Sequence, residues 1–139
     1  MDHNSILKKA ILVVDDEPMI LKMVSTILEN KGYCVLQAPG PLEALRMESE
    51  YSGVIDLLLS DITMPGMLGT QLAAHMIQHR PGMRVMFMSG YAEGPLLVLN
   101  YGWQFLQKPF IGEALLGMVD EVLYSPTRSK ALDHFDTRQ

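Results

Sequence analysis

The chain of 139 residues has little cysteine and no long apolar segment. Cys34 is its single cysteine, which excludes an internal disulfide and is typical of a reducing compartment. No apolar stretch approaches the roughly 18 residues that a membrane helix needs. The apolar run after Lys8 and Lys9 stops at Asp15, which is too early for a secretory signal. These absences predict a cytoplasmic protein without a membrane segment.

Positive charge is also scarce, since 11 Lys and Arg residues face 16 Asp and Glu residues and the net charge is −5. Binding to nucleic acid depends on Lys and Arg side chains that neutralise phosphates. The basic residues of the C-terminal tail, Arg128 and Lys130, are too sparse to form such a surface. The composition therefore argues against nucleic acid as a direct partner. At 48% hydrophobic residues, the chain can bury the core of one ordinary domain.

Four continuous apolar runs each end on a polar residue. The runs end at Asp15 and Asp16, at Asp61, at Ser89 and at Lys108. Continuous apolar runs of about four to eight residues are typical of parallel strands that are covered on both faces. The carboxyl ends of such strands form one ligand crevice. The sequence therefore predicts that three carboxylates, a hydroxyl and an ammonium group meet in one small pocket.

Segments with helical periodicity alternate with these strands over 17–31, 41–50, 68–79 and 112–123. A further strand is predicted over 33–37, and 93–100 has room for at most two helical turns. The alternation predicts an α/β fold with a doubly wound, five-stranded parallel sheet of order 2-1-3-4-5 in a single domain. In that order the first strand lies between the second and the third, so Asp15 and Asp16 become neighbours of Asp61.

Two helices have recognisable ends and faces. Asp16 is predicted to cap the first helix and Gly32 to end it. In the helix over 41–50, the spacing predicts that Leu42 and Leu45 face the core.

The grouped acids predict a metal site. Three carboxylates that lie close together repel one another, so we expect the pocket to bind a hard divalent cation. Each motif alone also has an ordinary explanation: acids before Pro18 favour a helix start, and Met64, Pro65 and Gly66 are turn residues. The four motifs together favour the chemical interpretation.

In this order the four motifs resemble response-regulator receiver domains, the phosphoacceptor half of two-component signalling. The matching segments are VVDDEP (13–18), SDITMPGM (60–67), MSGY (88–91) and LQKPF (106–110). The last two are most similar to receivers attached to hybrid histidine kinases. The resemblance implies the flavodoxin-like receiver fold over 9–123, with flexible termini at 1–8 and 124–139.

The resemblance also implies a role for each residue of the pocket. Asp61 is expected to accept the phosphoryl group. Asp16, Asp61 and the backbone carbonyl of Thr63 are expected to bind Mg²⁺ or Mn²⁺, with Asp15 acting partly through water. Lys108 is expected to hold a phosphoryl oxygen.

Further residues are implied to act as a switch around that pocket. Ser89 would move to donate a hydrogen bond to the phosphoryl group. Phe105 occupies the position where the family commonly has a Tyr that acts as a switch. Because Phe has no hydroxyl group, the two positions of its side chain can differ only in packing. Thr63 and Tyr91 flank the pocket and would influence the lifetime of the phosphate, and the peptide bond before Pro109 is expected to be cis.

The implied phosphodonor is a histidine kinase or a phosphotransfer protein. A second copy or a downstream protein would bind through the 93–123 face, on which 96–99 is apolar, and neither nucleic acid nor a membrane is an expected partner. The stretch between Ser89 and Lys108 is several residues shorter than usual in the family, so the fourth helix and that face are expected to depart from the usual form.

Two other functions remain open. An Asp-nucleophile phosphohydrolase usually carries two carboxylates spaced by one residue after the first strand, whereas Asp15 and Asp16 are adjacent. A receiver-like interaction module that is not phosphorylated would have lost the acids. We therefore expect no enzyme beyond self-catalysed phosphorylation and dephosphorylation. His75 and His79, spaced i, i+4, form a possible metal pair without an evident third ligand.

Overall fold

The computed structural model describes residues 8–90 and 102–126. In these ranges the strands are β1 (Ala10–Val14), β2 (Cys34–Ala38), β3 (Leu57–Asp61), β4 (Arg84–Ser89) and β5 (Gln104–Gln107). The helices in the same ranges are α1 (Pro18–Lys31), α2 (Pro41–Glu50), α3 (Gly69–His79) and α4 (Gly112–Tyr124). The strands form one parallel sheet in the order β2-β1-β3-β4-β5. The predicted fold class and strand order are confirmed.

The register of the sheet brings the ends of its strands to one edge. Val14 at the end of β1 pairs with Ser60, so the residue after β1 lies beside Asp61 at the end of β3. Ser89 at the end of β4 pairs with Gln107 at the end of β5. This edge carries the four polar ends that the apolar runs predicted.

Helices cover both faces of the sheet, which explains why the strands are continuously apolar. Alternate strand residues such as Leu12, Leu58 and Phe87 pack in the same buried cluster as residues of α2 and α3. Their neighbours Ile11 and Leu59 pack in a second cluster with residues of α1 and α4.

The ends of α1 follow the sequence prediction at one terminus only. Gly32 adopts a φ of 110° and its N–H bonds to the carbonyl oxygens of Leu28 and Glu29, so it ends the helix as predicted. The residue at the N-terminal cap is Glu17 and not Asp16, so that prediction was wrong. The reason is that Pro18 already occupies the first helical turn, which places the cap one residue later than Asp16.

The inward face of α2 was predicted correctly in part. Leu45 packs against the buried cluster as expected, but Leu42 is 78% exposed, whereas Ala44 and Glu48 are buried. A glutamate does not count as an inward residue in a hydrophobic pattern, but here Arg80, the residue after α3, pairs with the Glu48 carboxylate at 2.9 Å. That ion pair allows the charged side chain to take the inward position.

Some predictions concern residues outside the described ranges. These are the short helix over 93–100, Tyr91 and most of the predicted flexible termini. Within residues 8–90 and 102–126, no helix has the length and apolar character needed to cross a membrane.

Candidate functional site

Three aspartates converge at the carboxyl edge of the sheet. Asp15 follows β1 and is fully buried, Asp61 ends β3 and is 7% exposed, and Asp16 is exposed. One carboxylate oxygen from each lies within 4.8 Å of the others. Among the described residues these acids form the one group of three or more His, Cys, Asp or Glu side chains close enough to hold a metal ion.

Lys108, directly after β5, joins two of these acids. Its Nζ donates hydrogen bonds to Asp15 Oδ2 at 2.9 Å and to Asp61 Oδ2 at 3.1 Å. The exposed carboxylate of Glu17 lies 3.6 Å from the same nitrogen. The Lys108 amide also donates to the carbonyl oxygen of Ser89 at 2.8 Å, and the bond between Lys108 and Pro109 is cis. The ends of β1, β3, β4 and β5 are thus tied together.

Burial and charge oppose each other at this site. The pKa of Asp61 lies above its usual value because burial disfavours the carboxylate, and the charge of Asp15 acts in the same direction. Lys108 and the Ile62 amide partly offset these effects. Burial disfavours the ammonium form of Lys108, but its hydrogen bond with Asp15 and the charge of Asp61 raise its pKa overall. These shifts favour a charged lysine, and its one positive charge faces the three carboxylates of Asp15, Asp16 and Asp61.

This donor set fits a hard divalent cation. Carboxylate oxygens are the ligands that Mg²⁺ and Mn²⁺ prefer. Two of the acids are buried, and an added cation would relieve the repulsion between Asp15 and Asp61 that raises the pKa of Asp61.

The other predicted site residues that the structure describes lie on β4, on β5 and in the loop after β3. Ser89 is fully buried at the end of β4, and Phe105 is half-buried in β5 and pairs with Phe87 in the sheet register. Thr63 is exposed in the loop after β3. In the structure Lys108 thus contacts both Asp15 and Asp61 directly. Ser89 ends β4 and Thr63 lies in the loop after β3, as their positions in the sequence motifs predicted.

Two residues outside the predicted set contact the backbone of Asp61. The Ser60 hydroxyl donates to the Asp61 carbonyl oxygen at 2.8 Å, and Gly69 at the start of α3 packs against the same peptide group. A polar residue inside the apolar run LLLS and a glycine at a helix start were the available sequence signals.

The second possible metal pair is not completed. The His75 and His79 rings lie edge to face with centroids 5.2 Å apart, and His79 Nδ1 lies 3.5 Å from a Glu48 carboxylate oxygen. Within the described part of the chain, these three residues do not form a group close enough to hold a metal ion.

Residues 11–120 match the family model of the response regulator receiver domain. The chain is 34% identical over 116 residues to the sensor kinase CckA of Brucella abortus (strain 2308). It is also 34% identical over 116 residues to the transcriptional regulatory protein GlrR of Escherichia coli (strain K12). Both alignments cover 81% of this chain, but 12% and 26% of the two relatives. The chain therefore spans a small part of the length of these proteins.

Solved structures show the same similarity. A response regulator receiver domain protein (CheY-like) from Methanospirillum hungatei JF-1 superposes with a TM-score of 0.75 at 36% identity, over 84% of this chain and 94% of that one. The receiver domain from the hybrid histidine kinase CckA superposes with a TM-score of 0.67 at 36% identity, over 82% of this chain and 98% of that one.

Proposed function

Because the chain belongs to the response regulator receiver domains of two-component systems, we propose that it accepts a phosphoryl group on Asp61. The observation that carries this proposal is the contact of the buried Asp61 carboxylate with Lys108 at 3.1 Å, beside Asp15 and Asp16. We assign this activity to a domain over 9–123. The proposed donor is a phosphohistidine of a histidine kinase or a phosphotransfer protein.

In the proposed reaction one oxygen of Asp61 forms a bond to phosphorus as the phosphorus–nitrogen bond of the phosphohistidine breaks. The imidazole nitrogen keeps the electron pair and takes a proton from solvent. No group is oxidised or reduced. Such a transfer depends mainly on positioning and on neutralising charge.

The residues of the pocket supply both the positioning and the neutralisation of charge. Asp15, Asp16, Asp61 and the backbone carbonyl of Thr63 would hold Mg²⁺ or Mn²⁺, which when bound supplies positive charge to the phosphoryl oxygens. The Lys108 ammonium, already within 3.1 Å of Asp61, donates to a phosphoryl oxygen from the other side.

A charge change at Asp61 can then alter a binding surface. Phosphorylation adds roughly −1.5 to −2 charges and three acceptor oxygens. We propose that Ser89 donates to one of these oxygens, that Phe105 repacks, and that Thr63 and Tyr91 influence the phosphate lifetime. The coupling to a partner or second copy on the 93–123 face would be on the order of 1–3 kcal/mol.

The direct test is incubation with Mg²⁺ and acetyl phosphate, followed by intact-mass measurement. We expect an adduct of one phosphoryl group in the parent protein and in Asp120→Asn, an exposed acid of α4 away from the site. We expect no adduct in Asp61→Asn. An unmodified parent, or an adduct that survives Asp61→Asn, would contradict the proposal.

Two further assays test the two alternative functions. Continued release of phosphate from a phosphomonoester over many turnovers would indicate a phosphohydrolase. A parent that neither takes up phosphate nor responds to Mg²⁺ in the fluorescence of Trp103 would indicate an interaction module that is not phosphorylated.

A further inference from the structure

Gly69 is the point at which α3 touches the backbone of the proposed phosphoacceptor. Its amide donates to the carbonyl oxygen of Ile62 at 2.6 Å. A Cβ added at Gly69 would lie well under 3.0 Å from the Asp61 carbonyl oxygen, and 3.1 Å from both the Asp61 carbonyl carbon and the Ile62 Cα. These atoms belong to the main chain, so no side-chain rotation can relieve the overlap.

Ser60 holds the same carbonyl group through a hydrogen bond. The fully buried Ser60 hydroxyl donates to the Asp61 carbonyl oxygen at 2.8 Å. The peptide group of Asp61 thus has a hydrogen-bond donor on one side and the α carbon of Gly69 against it.

The contact of Gly69 extends to the residue that follows Asp61. The carbonyl oxygen of Ile62 accepts a hydrogen bond from the Gly69 amide. A displacement of α3 at Gly69 would therefore move the peptide groups of both Asp61 and Ile62, and with them the Asp61 side chain.

We propose that Ser60 and Gly69 are positioning residues for phosphoryl transfer, and we call this pair the Asp61 clamp. The inference rests on the proposed function, because it concerns how Asp61 is aimed at Lys108 and the other acids. Neither residue touches the phosphoryl group, and both act through the main chain of Asp61. The requirement at position 69 is for the absence of a Cβ, since its neighbours are backbone atoms.

The expected size of the effect follows from the geometry. An alanine at position 69 requires a shift of about 1 Å in either the start of α3 or the Asp61 peptide. Misplacing a reacting group by about 1 Å can cost on the order of 100-fold in rate. We therefore expect Gly69→Ala to lower the phosphorylation rate by about 10- to 100-fold. Ser60→Ala removes a single hydrogen bond and should lower it several-fold.

Three quantities are measured for each variant. These are the rate of phosphorylation by acetyl phosphate from intact mass, the Mg²⁺ affinity from calorimetry and the stability from urea unfolding. Gly82→Ala is the matched control, because its Cβ in the turn before β4 meets nothing within 4 Å and the parent rate should be kept. Val85→Ala controls for lost stability, since it removes buried volume near the start of β4, at the opposite end of that strand from Ser89. This second control should lower the midpoint of urea unfolding but keep the phosphorylation rate per folded molecule. Gly69→Ala should lower that rate and weaken Mg²⁺ binding.

A Gly69→Ala protein with the parent rate and the parent Mg²⁺ affinity overturns the clamp. If Gly69→Ala does not fold, Ser60→Ala decides, and an unchanged rate in that variant overturns the clamp. A parent that gives no adduct overturns the proposed function instead. In that case the Mg²⁺ affinity of Gly69→Ala still tests whether the clamp positions Asp61: an affinity equal to the parent's refutes it, and a weaker one supports a positioning role in metal binding only.

Discussion

Arg80 provides the most demanding test of the energetics of this fold. Its guanidinium donates to the Glu48 carboxylate at 2.9 Å and to the carbonyl oxygens of Glu48, Tyr51 and Gly53 at 3.0, 2.7 and 2.8 Å. The Glu48 side chain is 6% exposed and that of Arg80 18%. One side chain therefore neutralises a buried acid and also donates hydrogen bonds to carbonyl groups in the last turn of α2 and just after it.

We expect Arg80→Met to lower the free energy of unfolding by about 3–5 kcal/mol, because the variant leaves the Glu48 carboxylate buried without its cation. His79 is 3.5 Å away but half-exposed, so it replaces little of that interaction. A domain of this size has a total stability of about 5–15 kcal/mol. The loss should be plain in urea unfolding followed by the fluorescence of Trp103.

Arg46 provides the matched control on α2. It also contacts two glutamates, Glu43 and Glu50, but these pairs are exposed. Arg46→Met should therefore change stability by about 0–1 kcal/mol. The double variant Glu48→Met/Arg80→Met should lose less than Arg80→Met alone, because it removes the stranded charge as well. An Arg80→Met protein as stable as Arg46→Met would refute this reasoning.

Three further predictions concern stability. In metal-free buffer Asp61→Asn should be more stable than the parent near neutral pH, and the difference should disappear as the pH falls below the unfolded-state pKa of about 3.9. The sign follows from the raised pKa of Asp61: the folded protein binds the proton of this side chain more tightly, so the parent loses stability as the pH rises and the carboxyl group ionises. An Asp61→Asn protein that is still more stable than the parent at low pH would contradict this reasoning. Ser25→Ala should raise the free energy of unfolding by about 1 kcal/mol, because the buried hydroxyl has no hydrogen-bond partner within the described residues; a loss in urea unfolding would show that a partner exists. Gly117→Ala should add about 0.5–1 kcal/mol through helix propensity, and thermal unfolding would reveal any steric cost instead.

The strand order and the meeting of acids at one edge were predictable because both depend on regular patterns. Strands buried on both faces appear as continuous apolar runs, and a parallel sheet brings their carboxyl ends together. Asp61 and Lys108 could therefore be placed as neighbours although they are 47 residues apart.

The errors come from contacts between particular residues that no local pattern encodes. The inward face of α2 includes Glu48 because Arg80, 32 residues later, pairs with it, and Leu42 is turned outward. The sequence shows Gly69 as a glycine at a helix start, but its contact with the Asp61 backbone is known only from the structure. A helical period predicts which side of a helix is apolar, but it does not predict which charged residue finds a buried partner.

The hydrogen bond between Lys108 and Asp15 joins residues 93 positions apart. A ribosome-bound chain has made the first acids long before it makes the lysine that neutralises them, so a nascent protein holds the acids without the lysine. If the proposed chemistry is correct, a kinase encountering an unfinished or misassembled copy would find no competent acceptor. Signalling would then be restricted to molecules that have completed synthesis and folding.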